Sequence, residues 1–93
     1  MTLNDYKDEA KDFLIKINAI NEGTAIKLNW LEEEFLLLKD ATNKEEKDKI
    51  RHQIYDMLFL LFELSADYDF DIDSEWNLGR QRKLEKYLPE GNK

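Results

Sequence analysis

The sequence predicts an all-α protein, a four-helix, bundle-type protomer completed by association with further copies of itself. Three observations carry that expectation. Apolar residues recur at helical spacing along nearly the whole chain. One Pro and three Gly are all that punctuate its 93 residues. No run alternates with period two for long enough to suggest a sheet. The length fits one small domain over residues 1–93, with a modest core and no internal repeat or linker.

The first helix is expected from about Leu3 to Ala19. Leu3, Tyr6, Ala10, Phe13, Leu14 and Ile17 recur at spacings of three and four, which makes one apolar stripe. Thr2 is placed to cap its start, and Gly23 lies just past its end. The second helix is expected from about Thr24 to Ala41. Leu28, Leu31, Phe35 and Leu38 form one apolar face, and Ile26, Trp30 and Leu37 another roughly opposite. Asn29, Glu33 and Asp40 share the polar strip on one side between them, and Lys27 and Glu34 fill the gap on the other.

Asn43 with Glu46 has the spacing of a capping box, so the third helix is expected from Asn43 to about Tyr68. Apolar residues from Ile50 to Leu64 cover most of its circumference. Its acids are not scattered: His52, Asp56, Glu63 and Asp67 fall in one strip about 60° wide, flanked by Gln53. An Asp-rich turn follows at Asp67 to Asp73. The fourth helix is expected from Asp73 or Ser74 to about Leu88, ended by Pro89 and Gly91. Helices with apolar residues on two sides need cover on two sides, and a two-fold dimer is the simplest arrangement that supplies it.

Composition narrows the function classes. A formal net charge of -7 disfavours nucleic-acid polymers and anionic membranes as partners. It leaves phosphate ligands open, because a divalent cation bridges carboxylate and phosphate. With no Cys there is no disulfide, thiolate nucleophile or zinc-thiolate site, and one His allows no all-His metal site in one chain. The segment MTLNDYKDEAKDF is too polar for a secretory leader, and no apolar run approaches a bilayer span. A cytoplasmic, soluble protein is the expectation.

The candidate chemistry lies in the acids. Carboxylates spaced by three or four on one helix, opposed by carboxylates on a neighbour, suit a hard divalent cation. The commoner arrangement for a charge stripe, and the first expectation for Asp56, Glu63 and Asp67, is a solvated face. In the Glu32-Glu33-Glu34 triplet, successive side chains diverge by about 100°. Glu33 shares its strip with Asp40 and Asn29 and is the residue of choice. Arg80, Arg82, Lys83 and Lys86 on the fourth helix could hold phosphate oxygens or complement the helix dipole. His52 could act as base or ligand, although a partly exposed helix residue is the commoner role. Trp30 and Trp76 could line a base pocket, but aromatics at helical spacing are more often core.

The order of these features resembles the MazG-type all-α nucleoside triphosphate pyrophosphohydrolases. The carriers are Lys27-Leu28 leading into Glu32-Glu33-Glu34, Gln53-Ile54-Tyr55-Asp56 running into Met57-Leu58-Phe59, the turn Phe70-Asp71-Ile72-Asp73, and Arg82-Lys83-Leu84-Glu85-Lys86-Tyr87-Leu88-Pro89. The likeness spans roughly residues 24 to 89. The ExxE motif of that family is absent as written, and Gln53 stands where its ExxD motif begins. The resemblance implies Mg²⁺, or Mn²⁺ in its place, held by Asp56 with Glu33 or Glu34. Gln53 would offer a neutral carbonyl, and Glu63 is a substitute ligand. Glu33 and Asp56 would be the catalytic acids. It further implies a nucleotide cut between its α and β phosphates, held by Arg82, Lys83, Lys86 and Trp30, and a homodimer or larger assembly. The alternative is a non-catalytic relative that keeps the bundle as a nucleotide-binding, regulatory or interaction module.

Overall fold

The computed structural model describes residues 1–88, so Pro89 and Gly91, expected to end the last helix, lie outside the described residues. Four helices follow in order: α1 (Leu3–Lys16), α2 (Thr24–Asn43), α3 (Lys47–Asp67) and α4 (Ile72–Tyr87). The all-α expectation holds.

α1 begins as the sequence suggests. The Thr2 hydroxyl accepts from the Asp5 amide at 3.1 Å and the Asp5 carboxylate accepts from the Thr2 amide at 2.8 Å, a complete capping box. The third and fourth helices end within a residue of expectation, at Asp67 and Tyr87, but the first does not. α1 stops at Lys16, short of Ala19, because Asn18 takes a left-handed conformation with φ 60°. The Ala19 amide then reaches back to the Leu14 carbonyl at 2.8 Å. Glu45 and Asp69 do the same after α2 and α3, with φ 54° and 53°. Their following amides bond Ala41 and Ser65 carbonyls. All three are Schellman ends without glycine.

Two boundary expectations are thereby overturned. Gly23 does not terminate α1; it is the extended residue before α2. Asn43 does not cap α3; it is the last residue of α2, and α3 starts at Lys47 after Glu46, which makes no side-chain cap.

α3 is the centre of the molecule. α1 lies along one side of it and α2 along another. Against α1, Tyr6 meets Phe62 with ring centroids 5.9 Å apart, and Phe13 meets Phe59 edge-on at 5.4 Å. Ala10 and Leu14 are buried beneath them.

The α2–α3 seam corrects the helical-wheel reading. The side of α2 turned inward is Thr24, Lys27, Leu31, Glu34, Leu38 and Ala41, so one supposed polar gap is the packed face. Leu31 and Leu38 of one apolar face turn inward, but Leu28 and Phe35 of that face, Ile26 and Leu37 of the other, and Leu36 are exposed, as are Ile54, Leu58 and Leu61 on α3. Among the described residues, Ala10, Leu14, Ala41 and Leu60 are the buried apolar ones. A single copy therefore leaves many of its large apolar side chains exposed.

α4 meets α1 at its first turn. The Asp73 carboxylate accepts from the Leu3 and Asn4 amides at 3.0 and 3.2 Å and so caps α1. Asn4 returns the favour to α4, accepting from the Ile72 amide at 2.9 Å and donating to Asp71 at 2.9 Å. Beyond that junction α4 projects. The radius of gyration is 16.0 Å, where a compact chain of this length would have about 12 Å.

Candidate functional site

α1 and α2 straddle α3, and the groove left between them over α3 is a cleft of about 440 Å³. Phe13 from α1 and Trp30 from α2 form its walls, with Tyr55 and Phe59 from α3. Glu34, Asp56 and Glu63 are its acids. The spacing explains the convergence. Asp56, Phe59, Leu60 and Glu63 recur at three and four along one side of α3, and Trp30 and Glu34 are one turn apart on α2.

The acids at one end crowd each other. Burial, and then repulsion from Asp56, pushes the Glu34 carboxyl above the ordinary glutamate range, and nearby His52 opposes the shift. Asp56 takes the His52 imidazole at 3.0 Å between Nε2 and Oδ2. Gln53, one turn before Asp56, is half-buried with a buried, unpartnered Oε1. Glu34 Oε2 is likewise buried without a partner.

The other end holds a third carboxylate, Glu63, and behind it, outside the cleft lining, lies an ion pair. Lys27 is wholly buried and its Nζ lies 2.6 Å from Asp67 Oδ1. Thr24 Oγ1 donates to the other Asp67 oxygen at 3.3 Å. Glu63 is only 6% exposed, and its Oε2 has no partner. Burial holds its carboxyl above the ordinary range, and the Lys27 charge only partly offsets that.

The expectation of a solvated acidic face fails for Glu63, which is buried, and holds in part for the half-buried Asp56 and for Asp67, an exposed residue whose carboxylate is tied to Lys27 on α2. Their partners differ from those expected. Glu33, with Asn29 and Asp40, lies on the exposed side of α2, while Glu34 enters the cleft. Trp30 lines the cleft as well. Arg82, Lys83 and Lys86 are not brought to it. They sit on α4, where Arg82 bonds Glu75 at 2.7 Å and Lys86 lies over the Tyr87 ring at 5.2 Å. Arg82 and Lys83 border a second groove with Trp76, but every residue of that groove belongs to α4 or follows it directly. It is the open flank of one helix. The buried Lys27, which supports the site from beneath without lining it, was not singled out; its signal is its position two turns before Glu34 on the same stripe.

The donor set is all oxygen, which suits Mg²⁺ or Mn²⁺. Among the described residues no three of His, Asp or Glu are grouped closely enough to enclose a metal. Two neighbouring carboxylates fit an ion that Mg²⁺ sites commonly share with substrate phosphates and water. No helix among the described residues is long and apolar enough to cross a membrane. Comparison with family profiles, with characterised proteins and with solved structures returns no match to this chain.

Proposed function

We propose that this chain is a MazG-like, divalent-cation-dependent nucleoside triphosphate pyrophosphohydrolase, acting as a homodimer or larger assembly. The observation that carries the reading is the meeting of Glu34 and Asp56 at one end of a cleft walled by Trp30, Phe13, Tyr55 and Phe59. Two crowded carboxylates favour a cation between them, and flat aromatic walls favour a base beside it.

Water attack on the α-phosphorus would cleave the α–β bridge, giving a nucleoside monophosphate and pyrophosphate. Glu34 and Asp56 would hold the ion, with the neutral Gln53 carbonyl beside them. Mg²⁺ supplies phosphate charge neutralisation and lowers the pKa of a coordinated water when bound. Asp56 also holds His52, an exposed side chain that does not itself line the cleft and would serve as proton acceptor only by turning toward it. The α4 cations do not line the cleft of their own chain, so Arg82, Lys83 and Lys86 would serve phosphate only across a contact between copies.

A second reading is a non-catalytic nucleotide-binding or regulatory module. It is favoured by the neutral Gln53 and by the outward placement of Glu33, which leave fewer anionic ligands at that end. A panel of ribo- and deoxynucleoside triphosphates with Mg²⁺ or Mn²⁺ separates the two. The enzyme releases pyrophosphate, and Asp56→Ala abolishes release while staying folded. Nucleotide binding without release selects the module. No turnover and no metal- or nucleotide-dependent thermal shift sinks both.

A further inference from the structure

α4 is the helix that its own chain covers least. Beyond its junction with α1 it projects from the body, and Trp76 and Tyr87 are 60% and 67% exposed. Its open flank is a groove of about 520 Å³ lined by α4 and Leu88 alone. Along that flank Ile72, Trp76, Gly79, Lys83 and Tyr87 recur at spacings of three and four, so they share one stripe of the helix. An exposed apolar stripe rimmed by charge marks a contact surface.

Gly79 sits at the middle of the stripe and of the helix. Its φ is not positive, and a Cβ added there would meet only the tip of the Arg82 side chain, at 3.4 Å. Neither the backbone nor the packing of its own chain therefore calls for glycine, which weakens a helix interior relative to alanine. What glycine at such a place allows is the close approach of another backbone.

The residues around Gly79 suit a second copy of the same helix. Ile72 and Tyr87 lie equally far from the middle of α4, and so do Trp76 and Lys83. An antiparallel copy related by a two-fold axis at Gly79 sets each against its counterpart. Ile72 then meets the partner's Tyr87. Trp76 meets the stem of the partner's Lys83, with the ammonium against the ring. Charge fixes the direction. α4 carries Asp73 and Glu75 in its first turn and its bases, Arg80, Arg82, Lys83 and Lys86, in its second half. A parallel copy would set those bases against themselves. The antiparallel copy brings Glu75, which holds Arg82 of its own chain at 2.7 Å, beside the partner's Arg82, so the charges alternate. The two Arg80 side chains near the axis are the exception, and they are exposed at the stripe's edge.

We infer that α4 is a self-association surface along which two copies pair antiparallel, crossing at Gly79. The inference rests on the association in the proposed function and not on its chemistry.

The chain has no Cys, so a single introduced thiol reports a single contact. The full chain is oxidised in air at micromolar concentration as Arg80→Cys, beside the axis, and as Gln81→Cys, outside the groove. Arg80→Cys is expected to form a disulfide-linked dimer at least about tenfold faster, because pairing raises the local thiol concentration. Adding Gly79→Leu to Arg80→Cys should remove that advantage by holding the two backbones apart. Leucine favours helix over glycine, so the loss would not come from melting α4, and far-ultraviolet circular dichroism checks this. Equal rates at the two positions, or an advantage that survives Gly79→Leu, overturns the α4 contact. Where sedimentation still shows a dimer or larger species, association through α2 and α3 stands. Equal rates with a monomer in sedimentation overturn both.

Discussion

Lys27 Nζ lies 2.6 Å from Asp67 Oδ1, with the lysine side chain wholly buried and the aspartate side chain 17% exposed. The pair closes the deep end of the α2–α3 seam. Removing one partner strands the other charge in a poorly hydrated place. Lys27→Met is expected to cost about 3–5 kcal/mol. Lys27→Met with Asp67→Leu should recover most of that, because an apolar pair needs no counter-charge. Urea unfolding of the two singles and the double measures it. A double variant no better than the worse single would contradict the account.

The left-handed C-terminal positions carry a smaller and opposite effect. Glu45 holds φ 54° after α2, a conformation that costs a residue with a Cβ about 1 kcal/mol. Glu45→Gly should raise stability by up to about 1 kcal/mol, tempered by the added freedom of glycine in the unfolded chain. A loss of stability in thermal unfolding would count against it.

The pH dependence has two arms of opposite sign. Burial raises the folded-state values of Glu34 and Glu63 above the ordinary 4.5. The folded protein therefore holds their protons more tightly than the unfolded chain does. That contribution is present below 4.5 and is lost as pH rises through the raised values. Asp5 and Asp71 run the other way. Hydrogen bonds from Thr2, and from Asn4 and the Ser74 amide, lower them below the ordinary 3.8. Their contribution is present above 3.8 and is lost as pH falls through the lowered values. Glu63→Gln should raise the melting temperature at pH 7 and flatten the upper arm. Asp71→Asn should flatten only the lower arm. Melting curves from acid to neutral pH, for three proteins, decide it.

Exposed hydrocarbon makes a prediction about assembly. Leu36 is 56% exposed and Phe35 49% on α2, and Leu58 is 48% exposed on α3. A monomer would leave these in water. Sedimentation velocity at micromolar concentration is expected to show a dimer or larger species. Leu36→Glu with Leu58→Glu should shift it toward monomer. A wild-type monomer would remove the assembly from the proposed function.

The helical pattern was readable because the period of apolar residues needs only local chemistry. The start of α1 was readable for the same reason: Thr2 and Asp5 are three residues apart and cap each other. The ends of α1 and α2 were less so, since Asn18 and Glu45 adopt the conformation that glycine usually signals. The inward face of α2 was hidden more deeply. Counting apolar residues points to Leu28 and Phe35, but the seam also takes in Lys27, which pairs with Asp67 on another helix, and Glu34, which is brought against the like charge of Asp56 there. A buried polar seam is a tertiary property: each side chain reads as surface until its counterpart is in place. That is why Asp56 was visible as a candidate, whereas Glu33 was preferred to Glu34.

The exchange of caps between Asn4 and Asp73 fixes α4 by a single turn at one end. Its 16 residues then extend about 24 Å from that fulcrum. A tilt of about 15° there carries Tyr87 about 6 Å sideways. The junction is a pivot with a long arm, so the reach of the α4 cations is governed by the angle at which Asp73 grips the start of α1.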